Sequence, residues 1–345
     1  MTIGFWVPGD PETLSGGYEY GRRLAEALKA QGHEVEIVRL DRGVPSQGRW
    51  DLVVQDELVH RRIGSSNRNW YRSTGIPVVV LVHHLKGRER RPWLQNLVLL
   101  SREKRYLSTA HGYLYNSLDT KSSVEELFAG AANRPNLVQV PGLEKSPLKA
   151  LLPTGQRPKG AVVLFSLGAV SKHKGQLRVF RALKTFKDLE WRWIIAGPND
   201  VEYQTSKRLN TWIRRYGWES RVTLLGRVDQ KTLNQLWTQT DVFVLPAGYE
   251  GYGMAVLEAS ARGIPVVTGN RGGVREIVVP GETGFLTKNS KELKDALKNL
   301  LISPWLRESM GKAGRERHRT HPGWAESFRT CGDFLESVLS SVPRP

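Results

Sequence analysis

Short apolar runs recur along this chain, each separated from the next by a segment of helical character, and no other feature restricts its fold so tightly. In the first half they are "IGFWV" from Ile3, "VEIVR" from Val35, "DLVVQ" from Asp51, "VVVLV" from Val78, "GYLYN" from Gly112 and "LVQV" from Leu137. The second half repeats the pattern with "VVLFSLG" from Val162, "WRWIIAG" from Trp191, "VTLLG" from Val222, "VFVLP" from Val242 and "IPVVTG" from Ile264. Runs this short, alternating with helical segments, read as βαβ units and a parallel sheet. Two rounds of the pattern predict an α/β fold with two doubly wound domains. Between them "PGLEKSPLKALLPTGQRPKG", from Pro141 to Gly160, concentrates Pro, Gly and Lys without periodicity, as a linker does. The expected division is a first domain over 1–142, a linker over 143–160 and a second domain over 161–324. A C-terminal helix at about 325–341 is expected to cross back onto the first domain. Open parallel sheets bind ligands at the carboxyl ends of their strands, so a cleft between two such domains is the expected site.

Composition narrows the class. A chain of 345 residues, 39% of them hydrophobic, is long enough for two ordinary cores. The single Cys331 excludes an internal disulfide framework and a cysteine-rich metal cluster, which favours a reducing compartment. The N-terminal "MTIGFWVPGD" has neither a basic leader nor a long apolar stretch, and runs such as "VVVLV" are far too short to span a bilayer, so the expected location is the cytoplasm. The formal charge of +17 suits nucleic acid, anionic lipid and phosphorylated ligands alike and selects none of them.

Chemistry concentrates in "PAGYEGYGMAVLEASARGIPVV", where Glu250 and Glu258 stand eight positions apart around a glycine-rich turn. "MAVLEASARG" reads as a helix that Gly263 closes and Pro265 cannot continue. A helix starting near Gly253, Met254 and Ala255 offers free backbone N–H groups and the positive end of its dipole to an anion such as a phosphate. Glu258 shares a helical stripe with Met254 and Ala261 and is expected to face inward, where a ribose diol could donate to its carboxylate. Two glutamates eight apart mean nothing by themselves, since a helix glutamate is usually solvated. Context supplies the meaning.

"YEGYGMAVLEASARGIPVV" followed by "GNRGGVREIVVPGETGFL" resembles the signature of the family 4 (group 1) retaining glycosyltransferases of the GT-B fold. The likeness continues in "SLGAVSKHKGQ", "IIAGP", "VTLLGRVDQKTL", "SGGYEYGRRLAEALKAQGHEV" and "PVVVLVHHL". It implies two Rossmann-like domains facing across a cleft and a hexosyl transfer from a UDP- or GDP-linked sugar to a lipid, a lipid-linked sugar or another glycan. It further implies that Glu258 accepts from the nucleotide ribose, that Glu250 contacts the transferred sugar, and that the backbone of Gly251, Tyr252, Gly253, Met254 and Ala255 cradles sugar and diphosphate. Lys174 matches the lysine that meets the diphosphate, and Arg227 and Val228 fall in the segment that meets the nucleotide. Gly16 and Gly17, expected in a small-residue turn after the first strand, give the backbone close access to the ligand, with a spacing that is not GxGxxG. His83, with His84 as its fallback, matches the histidine near the sugar's outer hydroxyls, although a histidine at a strand end is more often structural. The catalytic set is thus Glu250, Lys174 and His83. The chain departs from the family pattern at Ala169, where an arginine is usual; Lys172, His173 and Arg227 are the candidates to replace its charge.

The resemblance implies retention of configuration, with the leaving diphosphate helping to deprotonate the acceptor, and requires no metal or cofactor. Asp51 and Asp241 sit at strand starts, the wrong ends for a metal-binding carboxylate pair. Alternatives are a sugar-nucleotide epimerase of the same architecture, a glycoside hydrolase, which needs no phosphate cradle, and a basic nucleic-acid-binding protein, which lacks its aromatic-basic signature. Finally, "KGRERRPWLQNLVLLSREKRYL", from Lys86 to Leu107, holds seven Lys or Arg against two Glu, with Trp93, Leu94, Leu97, Val98 and Leu100 between the basic ends. That pattern suits a helix on the anionic inner face of a membrane, and equally a stripe packed on the first domain's sheet.

Overall fold

The computed structural model describes residues 1–343 apart from 14, 46, 65, 90, 91 and 145–159. The expected linker therefore lies almost wholly outside the described residues, as do Arg90 and Arg91. The chain divides into two compact units, Met1–Glu144 with Pro322–Pro345, and Lys145–His321.

In the first unit the strands are β1 (Thr2–Val7), β2 (Glu34–Arg39), β3 (Leu52–Asp56), β4 (Val78–Val82), β5 (Gly112–Tyr115) and β6 (Asn136–Val138). All neighbours are parallel, in the order β2-β1-β3-β4-β5-β6. The unbroken apolar run of β4 is explained by burial on both sides. Val78, Val80 and Val82 face a cluster containing Trp6, Trp70 and Tyr113, whereas Val79 and Leu81 face one containing Phe5, Tyr20 and Leu24. The second cluster also takes Phe328, Leu335 and Val338 from the end of the chain, because the helix Cys331–Ser341 packs in this unit. Gln31 fastens it there, its side chain donating to the Phe328 carbonyl at 2.8 Å and accepting from the Gly332 N–H at 3.0 Å.

The second unit contains β7 (Val162–Leu167), β8 (Trp191–Ala196), β9 (Val222–Gly226), β10 (Val242–Leu245), β11 (Val266–Gly269) and β12 (Gly284–Thr287), parallel in the order β12-β11-β10-β7-β8-β9. Strand β12 is not among the strands the sequence predicts. It is a short edge strand whose two apolar residues, Phe285 and Leu286, are only partly buried between Gly284 and Thr287, so its four positions carry no apolar run to betray it. In both sheets the order reverses beside the first strand of the unit, the position where doubly wound sheets place ligands.

Candidate functional site

In the second unit the loop after β10 leads to the helix Met254–Ala261, entered through Gly253 at φ 103°. A Cβ at Gly253 would lie 2.7 Å from Val274 Cγ1, so both the backbone angle and the packing demand glycine. The loop is braced from the "GNRGG" segment. Glu250 donates its N–H to the Arg271 carbonyl at 3.2 Å, and its own carbonyl accepts from Gly273 N–H at 2.9 Å. A Cβ at Gly272 would fall 1.8 Å from that carbonyl oxygen. The second half of the sequence signature is thus the backbone support of the first.

This support aims the Glu250 side chain, only 13% exposed, at Lys174, whose Nζ donates to Oε1 at 2.6 Å. Lys174 arrives from the other side of the sheet order's reversal, in the loop between β7 and the helix Gln176–Leu183. The structure therefore brings together an ammonium, a carboxylate and the start of a helix whose first-turn N–H groups have no partner within it. Gly251 through Ala255 lie along the same loop and first turn.

Glu258 departs from expectation. Its side chain is 30% exposed rather than inward-facing, and its Oε2 lies 3.6 Å from Nη1 of Arg262, one turn further on. Burial lowers the Arg262 pKa, with the charge of Glu258 partly offsetting it. Of the candidates to replace the charge missing at Ala169, Lys172 lies 3.9 Å from Glu202 and Arg227 donates to Asp200 at 2.9 Å, both pairs at the surface. Val228 follows Arg227 as a half-buried residue before the helix Gln230–Gln239. Asp241 accepts the Val163 N–H at 2.9 Å, a structural tie at a strand start.

In the first unit Gly16 and Gly17 do not form a turn before the helix. They are the first two residues of the helix Gly16–Ala30, whose N-cap is Ser15. The correction has a simple cause: a serine followed by good helix formers starts a helix whatever its first two residues are. A Cβ at Gly17 would lie 3.5 Å from the His83 ring, so the glycine lets helix and histidine approach. His83 is buried directly after β4. The sequence reading missed its neighbours Asp56 and Glu57, which leave β3 alongside it; the one available signal was an acidic pair closing the apolar run "LVVQ". His83 Nε2 is 3.5 Å from Asp56 Oδ2, and ligand-type atoms of all three residues lie within 4.8 Å of one another. Burial, then the charge of Asp56, push the Glu57 carboxyl up to about 7. Burial acts to lower the His83 pKa, but the charges of Glu57 and Asp56 outweigh it and the net shift is upward. His84 has its Nε2 3.0 Å from Glu89 and its Nδ1 4.0 Å from Glu57 Oε1.

The helix Trp93–Leu107 shows a third feature. Trp93, Leu94, Leu97 and Val98 are 70%, 59%, 54% and 54% exposed, whereas Glu103, Tyr106 and Leu107 anchor its other end. These four apolar residues therefore do not pack on the sheet. Arg88 is engaged by Glu126 at 2.6 Å, and no helix of the described residues is long and apolar enough to cross a membrane.

Two parallel sheets, each wound with helices and carrying this strand order, define an α/β protein of the GT-B class. In keeping with that, the chain superposes on Alr3699/HepE of Anabaena, solved in complex with UDP-glucose, with a TM-score of 0.75 at 18% identity, covering 98% of this chain and 100% of the other. The profile described as "Glycosyl transferases group 1" matches residues 152–317. A phosphatidyl-myo-inositol mannosyltransferase of Mycobacterium leprae is 30% identical over 381 residues, 99% of this chain and 98% of that one. The chain belongs to the group 1 glycosyl transferases. A GDP-mannose-dependent monoacylated alpha-(1-6)-phosphatidylinositol monomannoside mannosyltransferase of Corynebacterium glutamicum is 33% identical over 160 residues; that match spans 44% of this chain and only 39% of the relative.

Proposed function

We propose that the protein moves a hexosyl unit, with retention and without a metal ion, from a UDP- or GDP-linked sugar to a lipid, lipid-linked sugar or other glycan acceptor at the cytoplasmic face of a membrane. The observation that carries this reading is the Lys174–Glu250 pair at 2.6 Å beside the start of the helix Met254–Ala261. A diphosphate would take the ammonium and the helix N–H groups, while sugar hydroxyls would take the freed carboxylate, so each partner of the ion pair exchanges for a ligand group. On departure the diphosphate gains charge where Lys174 can offset it. A nucleotide-sugar donor agrees with the UDP-glucose bound by the Anabaena neighbour and with the GDP-mannose dependence of the Corynebacterium relative.

The test is incubation with a panel of labelled UDP- and GDP-sugars, following nucleotide release and the anomeric product with and without acceptors. One donor should release nucleotide faster when acceptor is present, and EDTA should leave the rate unchanged. A product that is the epimeric nucleotide sugar would instead mark an epimerase.

For the acceptor, support comes from the exposed Trp93, Leu94, Leu97 and Val98, bounded at one end by Arg102, Lys104 and Arg105. Apolar side chains set among cations suit the interface of an anionic bilayer, each large one contributing about 1.5–3 kcal/mol when buried. Wild-type protein should sediment with anionic vesicles at low salt, and Trp93→Ser with Leu97→Ser should sediment at least about tenfold less while keeping its Tm. Equal sedimentation would turn attention to a soluble acceptor.

A further inference from the structure

The buried group at the ends of β3 and β4 is built with more order than a structural contact needs. Each carboxylate has one oxygen tied to backbone: Asp56 Oδ1 accepts Leu58 N–H at 2.8 Å, and Glu57 Oε2 accepts His83 N–H at 3.0 Å. The other oxygens are left over. Among the described residues Glu57 Oε1 and His83 Nε2 have no hydrogen-bond partner, and Asp56 Oδ2 stands 3.5 Å from that nitrogen, at the outer limit of a bond. The imidazole is confined by Gly17 on one side and by the edge of Tyr20, 5.3 Å between centroids, on another. The Thr120 hydroxyl lies 3.3 Å from the His83 carbonyl and 3.0 Å from Asn116 Oδ1, its one proton shared between the two.

A neutral imidazole carries one N–H, and facing a carboxylate it keeps that proton on the nearer nitrogen. We propose that Asp56 is a positioning residue: it holds His83 in the Nε2–H form, leaving Nδ1 as the acceptor for a sugar hydroxyl, with Glu57 fixing the backbone beneath the ring. The assignment rests on the reading that His83 meets that sugar. The long 3.5 Å contact is of the kind that tightens when substrate arrives. The titratable groups about the ring are Asp56 and Glu57 from the end of β3 and Tyr20 from the helix Gly16–Ala30, while His84, next in the chain, acts on Glu57.

Nitrogen-15 correlation spectra of histidine-labelled protein, assigned with His83→Gln, read the tautomer directly. The Nε2–H form is expected in the wild type, and a mixture of forms in Asp56→Asn. A wild-type His83 protonated on Nδ1 alone overturns the proposal without any variant. In the transferase assay Asp56→Asn should lower donor kcat/KM about tenfold or more, the loss of one charged hydrogen bond. Adding it to His83→Ala should cost nothing further, because a residue that acts through His83 has nothing left to act on. Independent, multiplying losses would overturn the proposal even if both variants fold. Absence of turnover with every donor would sink the transferase reading instead, and the tautomer spectra would still decide whether Asp56 governs His83.

Discussion

Lys174 and Glu250 neutralise each other across 2.6 Å, whereas Glu258 lies 3.6 Å from Arg262, one turn further along the chain. The difference separates their expected phenotypes. Glu258→Ala removes an acceptor for a ribose diol, a charged hydrogen bond worth about 1.5–3 kcal/mol, so isothermal titration should show nucleotide affinity falling by roughly ten- to a hundredfold. Glu250→Ala should lower turnover with a smaller loss of free-nucleotide affinity, because its partner is the sugar. Matching losses in the two variants would contradict the separate roles. Glu57 sets a pH dependence at the same scale. Its carboxyl titrates at about 7 in the folded chain against an ordinary 4.5, so across that window the folded state keeps a proton that the unfolded state has released. Stability then falls as pH rises from 4.5 through about 7 and levels off above. Glu57→Gln cannot ionise, so its Tm relative to wild type should improve between about pH 5 and pH 8 in a thermal melt series. A constant difference would refute the assignment.

Single elements show why glycine placement matters to the donor site. Gly253 and Gly281 both adopt positive φ, 103° and 82°, yet a Cβ at Gly253 meets Val274 at 2.7 Å while one at Gly281 meets nothing within 4 Å. Alanine at either position should cost about 1–2 kcal/mol of stability through the backbone angle. Only Gly253→Ala should also weaken nucleotide binding, since it displaces the first turn of the helix Met254–Ala261. Titrating both variants with nucleotide checks this, and equal affinities would remove the helix start from the binding account. The helix Trp93–Leu107 shows the opposite situation, an apolar face that local sequence could equally have buried. Its buried residues, Glu103, Tyr106 and Leu107, all lie in its C-terminal part, while towards the other end Asn96 ties it to the Glu89 carbonyl at 3.0 Å and leaves the apolar face open. Glu103 accepts from the N–H groups of Lys86 and Gly87 at 2.7 and 3.3 Å, tying the helix to the segment before it.

Across the whole molecule the last residues are structural rather than dispensable, because Phe328, Cys331, Leu335 and Val338 complete the core of the first unit. Burial pushes the Cys331 thiol up to about 12, so it is neither exposed nor ionised near neutrality. Native protein should leave a disulfide reagent such as DTNB unreacted over minutes, and labelling should rise with urea in step with unfolding of the first unit. Immediate labelling of the native chain would show that the C-terminal helix is not docked. The charge of +17 belongs to this scale too. Individual cations are committed to internal contacts, as in Arg221 stacked 4.0 Å over Trp191 and Arg88 held by Glu126, so the total is a poor guide to any single partner.

Strand positions, the doubly wound class and the Glu250–Glu258 segment were legible because they depend on local pattern: apolar runs bounded by glycine and proline, and a helix that starts and stops on recognisable residues. β12 was not, because a short, half-buried edge strand carries no run. Glu258 was misplaced because a helical stripe shows which residues share a side but not what lies opposite, and Arg262 rather than an apolar wall stands beside it. Gly16 and Gly17 were assigned to a turn that Ser15 pre-empts by capping the helix. The Asp56, Glu57 and His83 group was invisible for a different reason: β3 and β4 place side by side residues that the sequence holds more than twenty positions apart. Local free energies of helix and strand formation are written in neighbouring residues, whereas burial, charge pairing and the proton a histidine keeps depend on contacts made only after the sheet has closed.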